Sequence, residues 1–243
     1  MQKTADPDSP PADLAITLEV DQTGTLAELT AALNGACEQA ENRKGENVIV
    51  VLRLSPCDTD SRAWPGPVSV QEVNRWERAV RRLERLPAMN IAVGHGACGG
   101  PALDLLLAAD FRIATPDLLL RLPVNDGHFW PGMALYRLVQ HVGLARARQI
   151  VLWGGDIPGA RAQELSLIDQ VAEDITAALH TATVLMGRIS DQELAVRRRL
   201  LLEAASADYD DALGVHLAAC DRELRRLRDT IHGTRDDQES SRE

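Results

Sequence analysis

Residues 90–110 read NIAVGHGACGGPALDLLLAAD, and this stretch decides the fold. A short apolar strand enters a glycine-rich turn, and the turn opens directly into an apolar helix. Gly94, Gly96, Gly99 and Gly100 give the backbone a freedom that other residues lack, and Pro101 suits the first turn of a helix because its missing N–H is not needed there. Spacing alone leaves two readings open. The turn is either a tight connection that needs glycine for packing, or a helix start whose backbone donors meet a polar or anionic ligand atom.

Outward from this turn, strands and helices alternate. Residues 15–20 alternate apolar and polar side chains, as a half-buried strand does, and residues 48–54 form a buried strand. Leu26, Leu29, Leu33 and Cys37 recur at helical spacing. Ser69 and Glu72 have the spacing of a capping box, with Val73, Trp76, Val80 and Leu83 following on one helical face. Residues 91–93, 111–114 and 118–120 supply further strands. Strands separated by helices imply parallel sheet in an α/β architecture. From 173 to about 231 the pattern is helical almost throughout, broken near 187–190 and 207–208. Leu213, Leu217, Cys220 and Leu224 form one apolar stripe there, with Arg222, Arg225, Arg226 and Arg228 largely off it as a solvated face.

The bulk properties exclude several classes. A chain of 243 residues with 45% hydrophobic content buries one substantial core. It has no run of about 18 apolar residues, so no membrane span is expected. The polar, proline-rich start, MQKTADPDSPPAD, has no apolar segment of signal-peptide type, and Cys37, Cys57, Cys98 and Cys220 are scattered. The expectation is a cytoplasmic protein with reduced thiols. A net charge of −10 argues against a general nucleic-acid surface.

The stretch 90–110 resembles the glycine-turn motif of the crotonase (enoyl-CoA hydratase/isomerase) superfamily. His95-Gly96 falls at the family's Asn-Gly pair, Gly99 to Ala102 on its glycine run, Asp104 at its acidic position and Ala109-Asp110 at the helix end. The likeness continues through Phe111 to Thr115, Pro123, Pro131-Gly132, Tyr136-Arg137-Leu138 and Gly143, and ends at Ile168. The resemblance implies a crotonase spiral of stacked strand–helix repeats over 14–188. It further implies a C-terminal helical oligomerisation region over 189–232, with flexible tails at 1–13 and 233–243 and a trimer or dimer of trimers.

The resemblance also implies chemistry. Crotonases hold the oxygen of a thioester enolate with two backbone N–H groups and move protons with side-chain carboxylates. Asp104 matches the first acidic position, where an acid one turn into a helix is also stabilised electrostatically, so a catalytic and a structural reading both stand. Val124 follows Pro123 where a hydratase carries its second acid, and valine transfers no proton. Asp126 and His128, in the segment NDGHFWPG, are the nearby candidates, with a turn former and a solvent-facing loop residue as the competing readings. The family's donor glycine falls on Pro101, which has no N–H, so Gly99, Gly100 and Ala102 become the candidate substrate-binding residues, with Gly100 or Ala102 replacing the donor. No second donor motif can be placed in SPCDTDSRAWPGP, residues 55–67. His95 and Cys98 read as structural residues. No metal site is expected, and no cofactor beyond the coenzyme A of the substrate.

Three segments narrow the resemblance: WERAVRRLERL (76–86), ACGGPALD (97–104) and WPGMALYRLVQ (130–140). They resemble the DpgB branch of the superfamily, crotonase-like auxiliary proteins of 3,5-dihydroxyphenylacetyl-CoA formation in antibiotic biosynthesis. That likeness implies a polyketide acyl-CoA as substrate, with a type III polyketide synthase and other crotonase-like proteins as partners. It leaves open a lyase that promotes dehydration and aromatisation, or a non-catalytic partner that stimulates the synthase. A general enoyl-CoA hydratase/isomerase is the third reading.

Overall fold

The computed structural model describes residues 15–57, 64–204 and 207–240. The tail expected at 1–13, residues 241–243 and the middle of the 55–67 segment lie outside the described residues. Strand β1 (Ala15–Val20) alternates exposed and buried positions as the sequence predicts. Thr25 and Glu28 then form a reciprocal capping box that starts α1 (Leu26–Asn42) and turns Leu26, Leu29, Leu33 and Cys37 inward. Strand β2 (Ile49–Leu54) is buried except at Arg53. The expected Ser69–Glu72 capping box forms and starts α2 (Val70–Glu84), which buries Trp76, Ala79, Val80 and Leu83.

Strand β3 (Met89–Gly94) leads through β4 (Ala97–Cys98) into α3 (Gly100–Ala108), and every residue of β3 and α3 is buried. Strands β5 (Phe111–Ala114) and β6 (Leu119–Leu120) follow, then a hairpin of β7 (Val124–Asn125) and β8 (His128–Phe129). Helix α4 (Ala134–Trp153) is interrupted at Gly143, whose φ of 72° and ψ of 162° are not helical. The chain continues as β9 (Ile157–Pro158), α5 (Gly159–Glu164), β10 (Gln170–Val171), α6 (Ile175–Met186), α7 (Asp191–Ala204) and α8 (Tyr209–Ser240).

Five strands pair in the order β1-β2-β3-β5-β10, all parallel. A parallel sheet covered on both faces needs apolar side chains at successive positions, which is why β2 and β3 read as continuous apolar runs. Val50, Leu52 and Leu54 join the core with α1, α2 and α3. Ile49, Val51, Ile91, Val93 and Ile113 pack on the other face with Ala178 and Ala182 of α6 and Leu194. A smaller sheet, β4-β6-β9, braces the glycine turn. The α/β architecture with a parallel sheet expected from the sequence is the one observed.

Residues through Ala195 form one compact unit and those from Val196 a second. Helix α6 and the start of α7 therefore belong with the core, beyond the boundary at 188/189 read from the sequence. In the second unit, Val215, Ala218 and Ala219 of α8 share a cleft with Val196 and Leu200 of α7. The stripe of Leu213, Leu217 and Leu224 lies off that cleft and is exposed, as is Cys220. Helix α8 runs on through Ser240, past the tail boundary expected at Gly233. Among the described residues, no helix is long and apolar enough to cross a membrane.

Candidate functional site

The turn between β4 and α3 is held from several sides. Asn90 and Asp110 exchange two hydrogen bonds of 2.9 Å, backbone N–H to side-chain oxygen in each direction, and so tie the start of β3 to the end of α3. This accounts for the acid that closes the motif. Gln22, just past β1, is buried; its Nε2 donates to the carbonyls of Ala97 (3.0 Å) and Ser55, and its Oε1 accepts the Gly99 N–H at 3.1 Å.

The amides of the turn are then accounted for one by one. Gly99 N–H is taken by Gln22, and Ala102 N–H donates to the Gly99 carbonyl at 3.0 Å. Pro101 has none. Of Gly99 to Ala102, Gly100 alone keeps an N–H with no acceptor among the described residues. Ala102 thus does not serve as the free donor that the sequence left as an option, because its N–H closes the first turn of the helix. Gly100 sits at φ +45°, and a Cβ there would lie 2.9 Å from Trp64 Cγ, so glycine is required on both counts. After β2, the N–H groups of Ser55 and Cys57 donate to Val20 O (3.1 Å) and Ala97 O (2.9 Å), and Pro56 has none. In the described part of the 55–67 segment, Asn125 takes the Trp64 N–H, and the Gly66 N–H has no acceptor among the described residues.

Asp104, one turn into α3, is buried at 3% exposure. Trp76 Nε1–H donates to its Oδ2 at 2.9 Å, and Arg137 Nη1 stands 4.0 Å from its Oδ1. Arg137 is itself buried and donates to Glu84 Oε1 (2.6 Å) and Glu77 Oε2 (3.1 Å). Three carboxyl groups therefore surround one guanidinium. Burial, reinforced by the Glu77 carboxylate, pushes the Asp104 carboxyl up to about 7 against the pull of Trp76 and Arg137. Glu77 Oε1 also accepts the N–H of Met133 (3.3 Å), the residue that begins α4. The cluster clamps α2, α3 and α4 together, and both oxygens of Asp104 face protein groups rather than solvent.

The other two candidate acid–base residues lie elsewhere. Asp126 and Gly127, at φ 48° and 80°, form the two-residue turn of the β7–β8 hairpin, which requires positive φ at both positions. Asp126 and His128 are exposed, and Val124 is 56% exposed. Among the described residues, no hydrogen bond or ion pair joins Asp126 to Asp104 or to the glycine turn. What the hairpin delivers instead is Asn125. Its Oδ1 accepts the Trp64 N–H (3.1 Å) and its Nδ2 donates to the Trp64 carbonyl (2.7 Å). Sequence reading passed over Trp64, Asn125, Gln22, Trp76, Glu77 and Arg137 as site residues. The Asp126-Gly127 pair was the available sign of a hairpin, and Glu77 and Glu84 share a helix face at i, i+7.

His95 is exposed and lies near Asp117, so it does not enter the site. Cys98 is buried, its Sγ–H donates to the His95 carbonyl (3.6 Å), and burial pushes its thiol up to about 12, which suits packing and not nucleophilic attack. No group of three His, Cys, Asp or Glu among the described residues is arranged to hold a metal ion.

The Gly100 backbone donor, in a glycine turn beside the Trp64 indole, can polarise a carbonyl oxygen. The family model for enoyl-CoA hydratase/isomerase matches residues 71–238, which spans the turn, the cluster and the hairpin. The chain belongs to the enoyl-CoA hydratase/isomerase family. It is 45% identical over 195 residues to an enoyl-CoA-hydratase of Amycolatopsis orientalis, covering 80% of this chain and 88% of that one. Its fold matches the crystal structure of an enoyl-CoA hydratase/isomerase from Marinobacter aquaeolei, with a TM-score of 0.73 at 18% identity over 88% of each chain. It also matches a putative enoyl-CoA hydratase from Thermobifida fusca solved in complex with CoA, with a TM-score of 0.71 at 20% identity over 88% of this chain and 91% of that one.

Proposed function

We propose that this protein binds a polyketide acyl-CoA and assists a type III polyketide synthase in forming 3,5-dihydroxyphenylacetyl-CoA, by promoting dehydration and aromatisation. The observation that carries this reading is the unpartnered Gly100 N–H. A buried amide without an acceptor costs about 1–3 kcal/mol, and a carbonyl oxygen of a bound thioester relieves that cost. Donation there withdraws electron density from the carbonyl and acidifies the neighbouring carbon, the step on which loss of water depends. In this reading the proton lost from that carbon passes to a solvent water, the hydroxyl leaves as water with a proton from solvent, and the aromaticity of the product makes the loss irreversible. The CoA complex of the Thermobifida fusca relative supports acyl-CoA as the ligand class. The segments 76–86, 97–104 and 130–140 support the narrower assignment.

A second reading, a non-catalytic partner that stimulates the synthase, draws on a specific observation. Both oxygens of Asp104 are engaged inside the protein, and Val124 stands where a second acid is needed. The exposed stripe of α8 supports a homo-oligomer in either case. The test is product analysis of the synthase reaction with and without the protein, followed by its addition after the synthase has been removed. Conversion of the released polyketide-CoA without the synthase supports the lyase. Stimulation only while the synthase is present supports the partner, and no effect in either arm overturns both.

A further inference from the structure

We propose that Trp64, held in place by Asn125, selects a planar, π-bearing acyl group at the Gly100 amide. This rests on the acyl-thioester reading above and names the class of acyl chain that the site accepts. Three contacts hold Trp64, one at its main chain and two at its indole. The Asn125 carboxamide grips the main chain of Trp64 from both sides, at 3.1 and 2.7 Å. The pyrrole side of the ring lies directly against the Cα of Gly100, close enough that a Cβ there would meet Cγ at 2.9 Å and Cδ2 at 3.0 Å. The ring then stands edge-to-face with Trp76, centroids 5.9 Å apart and planes at 78°, and Trp76 is itself pinned by Asp104.

An indole so constrained is a preorganised wall next to the one unpaired donor of residues 99–102. A group whose carbonyl accepts from Gly100 lies beside that wall. A flat conjugated ring gains offset stacking there without ordering any further side chain, whereas a puckered saturated ring of the same size gains area only. The hairpin explains how the site acquired this wall. The position that follows Pro123 carries no acid, and the next residue, Asn125, is used to hold Trp64 instead. Asn125 is thus a positioning residue and Trp64 a specificity residue.

The experiment compares binding of CoA, cyclohexylacetyl-CoA and phenylacetyl-CoA by titration calorimetry, for the full chain and for Trp64→Phe, Trp64→Ala and Asn125→Ala. The unsubstituted protein is expected to prefer phenylacetyl-CoA over its saturated counterpart by about threefold to tenfold in Kd, the worth of one aromatic pair. Trp64→Phe keeps most of that preference, while Trp64→Ala and Asn125→Ala reduce it to within about twofold with CoA itself bound unchanged. Should Trp64→Ala fail to fold, the contrast between Trp64→Phe and Asn125→Ala decides. Equal affinity of the unsubstituted protein for the two thioesters overturns the selective role of Trp64 and leaves the acyl-thioester reading standing. Thioesters that bind no tighter than CoA overturn that reading itself. A preference that survives Asn125→Ala intact removes Asn125 from its positioning role.

Discussion

Asp104→Asn is expected to stabilise the protein at alkaline pH, although it removes the acid that the resemblance aligns with a catalytic position. In the fold the Asp104 carboxyl is raised from an ordinary 3.8 to about 7, first by burial and then by Glu77. Between pH 4 and 7 the folded state therefore holds a proton that the unfolded state has released. Stability of the unsubstituted protein falls as pH rises through that window and levels off above it. At about 1.4 kcal/mol per pH unit, the rise sets a ceiling of about 4 kcal/mol on the cost of burying the charge. Relaxation around Arg137 lowers such figures, so a cost on the order of 2 kcal/mol at pH 8, below that ceiling, is expected. Asparagine carries no charge to bury, matches aspartate in size and keeps an oxygen to accept from Trp76 Nε1. Urea unfolding of both proteins at pH 5 and pH 8 reads the difference. Asp104→Asn should be more stable by about 2 kcal/mol at pH 8, with the gap narrowing clearly at pH 5. A variant that is less stable at pH 8 refutes the argument and shows that Asp104 is ionised and held by Arg137; a gap that does not change with pH also refutes it, because it means that folding leaves the Asp104 pKa unshifted.

Three other outcomes follow from the same geometry. Hydration of crotonyl-CoA, followed by loss of enoyl absorbance, is expected at about 10²–10³-fold below an ordinary hydratase or lower, since the resemblance puts Val124 at the second acid's position and Pro101 at the donor's; a robust rate sinks the positional argument. Arg137→Met leaves Glu77, Glu84 and Asp104 without their shared cation and is expected to cost about 3–5 kcal/mol in chemical denaturation; a loss under 1 kcal/mol means that the carboxyls are already protonated or solvated. A chain ending before Asp208 lacks the exposed Leu213–Leu217–Leu224 stripe, and light scattering should show a smaller assembly; an unchanged assembly size places the oligomer contact outside α8.

Local signals made most of the fold legible. The β2 and β3 runs, the Ser69–Glu72 capping box and the breaks near 187 and 207 each depend on residues within one turn or strand of each other, and each appears where the sequence puts it. The site was legible only at its backbone. Gly99, Gly100 and Pro101 show in sequence because conformation and a missing N–H are properties of single residues. What surrounds Asp104 does not show, because Trp76 lies 28 positions before it and Arg137 enters from α4. A carboxyl on an apolar helix can face solvent, a ligand or a buried cation, and sequence spacing does not choose among them. Asp126 was ambiguous for the opposite reason. Its residue type serves both turns and proton transfer, and the structure shows the turn, with positive φ at Asp126 and Gly127.

The three segments that narrow the resemblance, 76–86, 97–104 and 130–140, supply Trp76, Glu77 and Glu84, then Asp104, then Arg137, and these five residues are the buried cluster. Their side chains bind one another. Their shared effect is geometric: Glu77 and Glu84 hold Arg137, Arg137 stands beside Asp104, Asp104 orients Trp76, Trp76 meets Trp64 edge-on, and Trp64 rests on Gly100. Each link is a direct contact, so the path from the ion cluster to the free amide is continuous. A donor polarises a carbonyl effectively only when it does not have to reorganise at the moment of reaction. On the reading proposed above, Asp104 serves to hold the turn in place, and the work at the site falls to the backbone of Gly100 and the indole beside it.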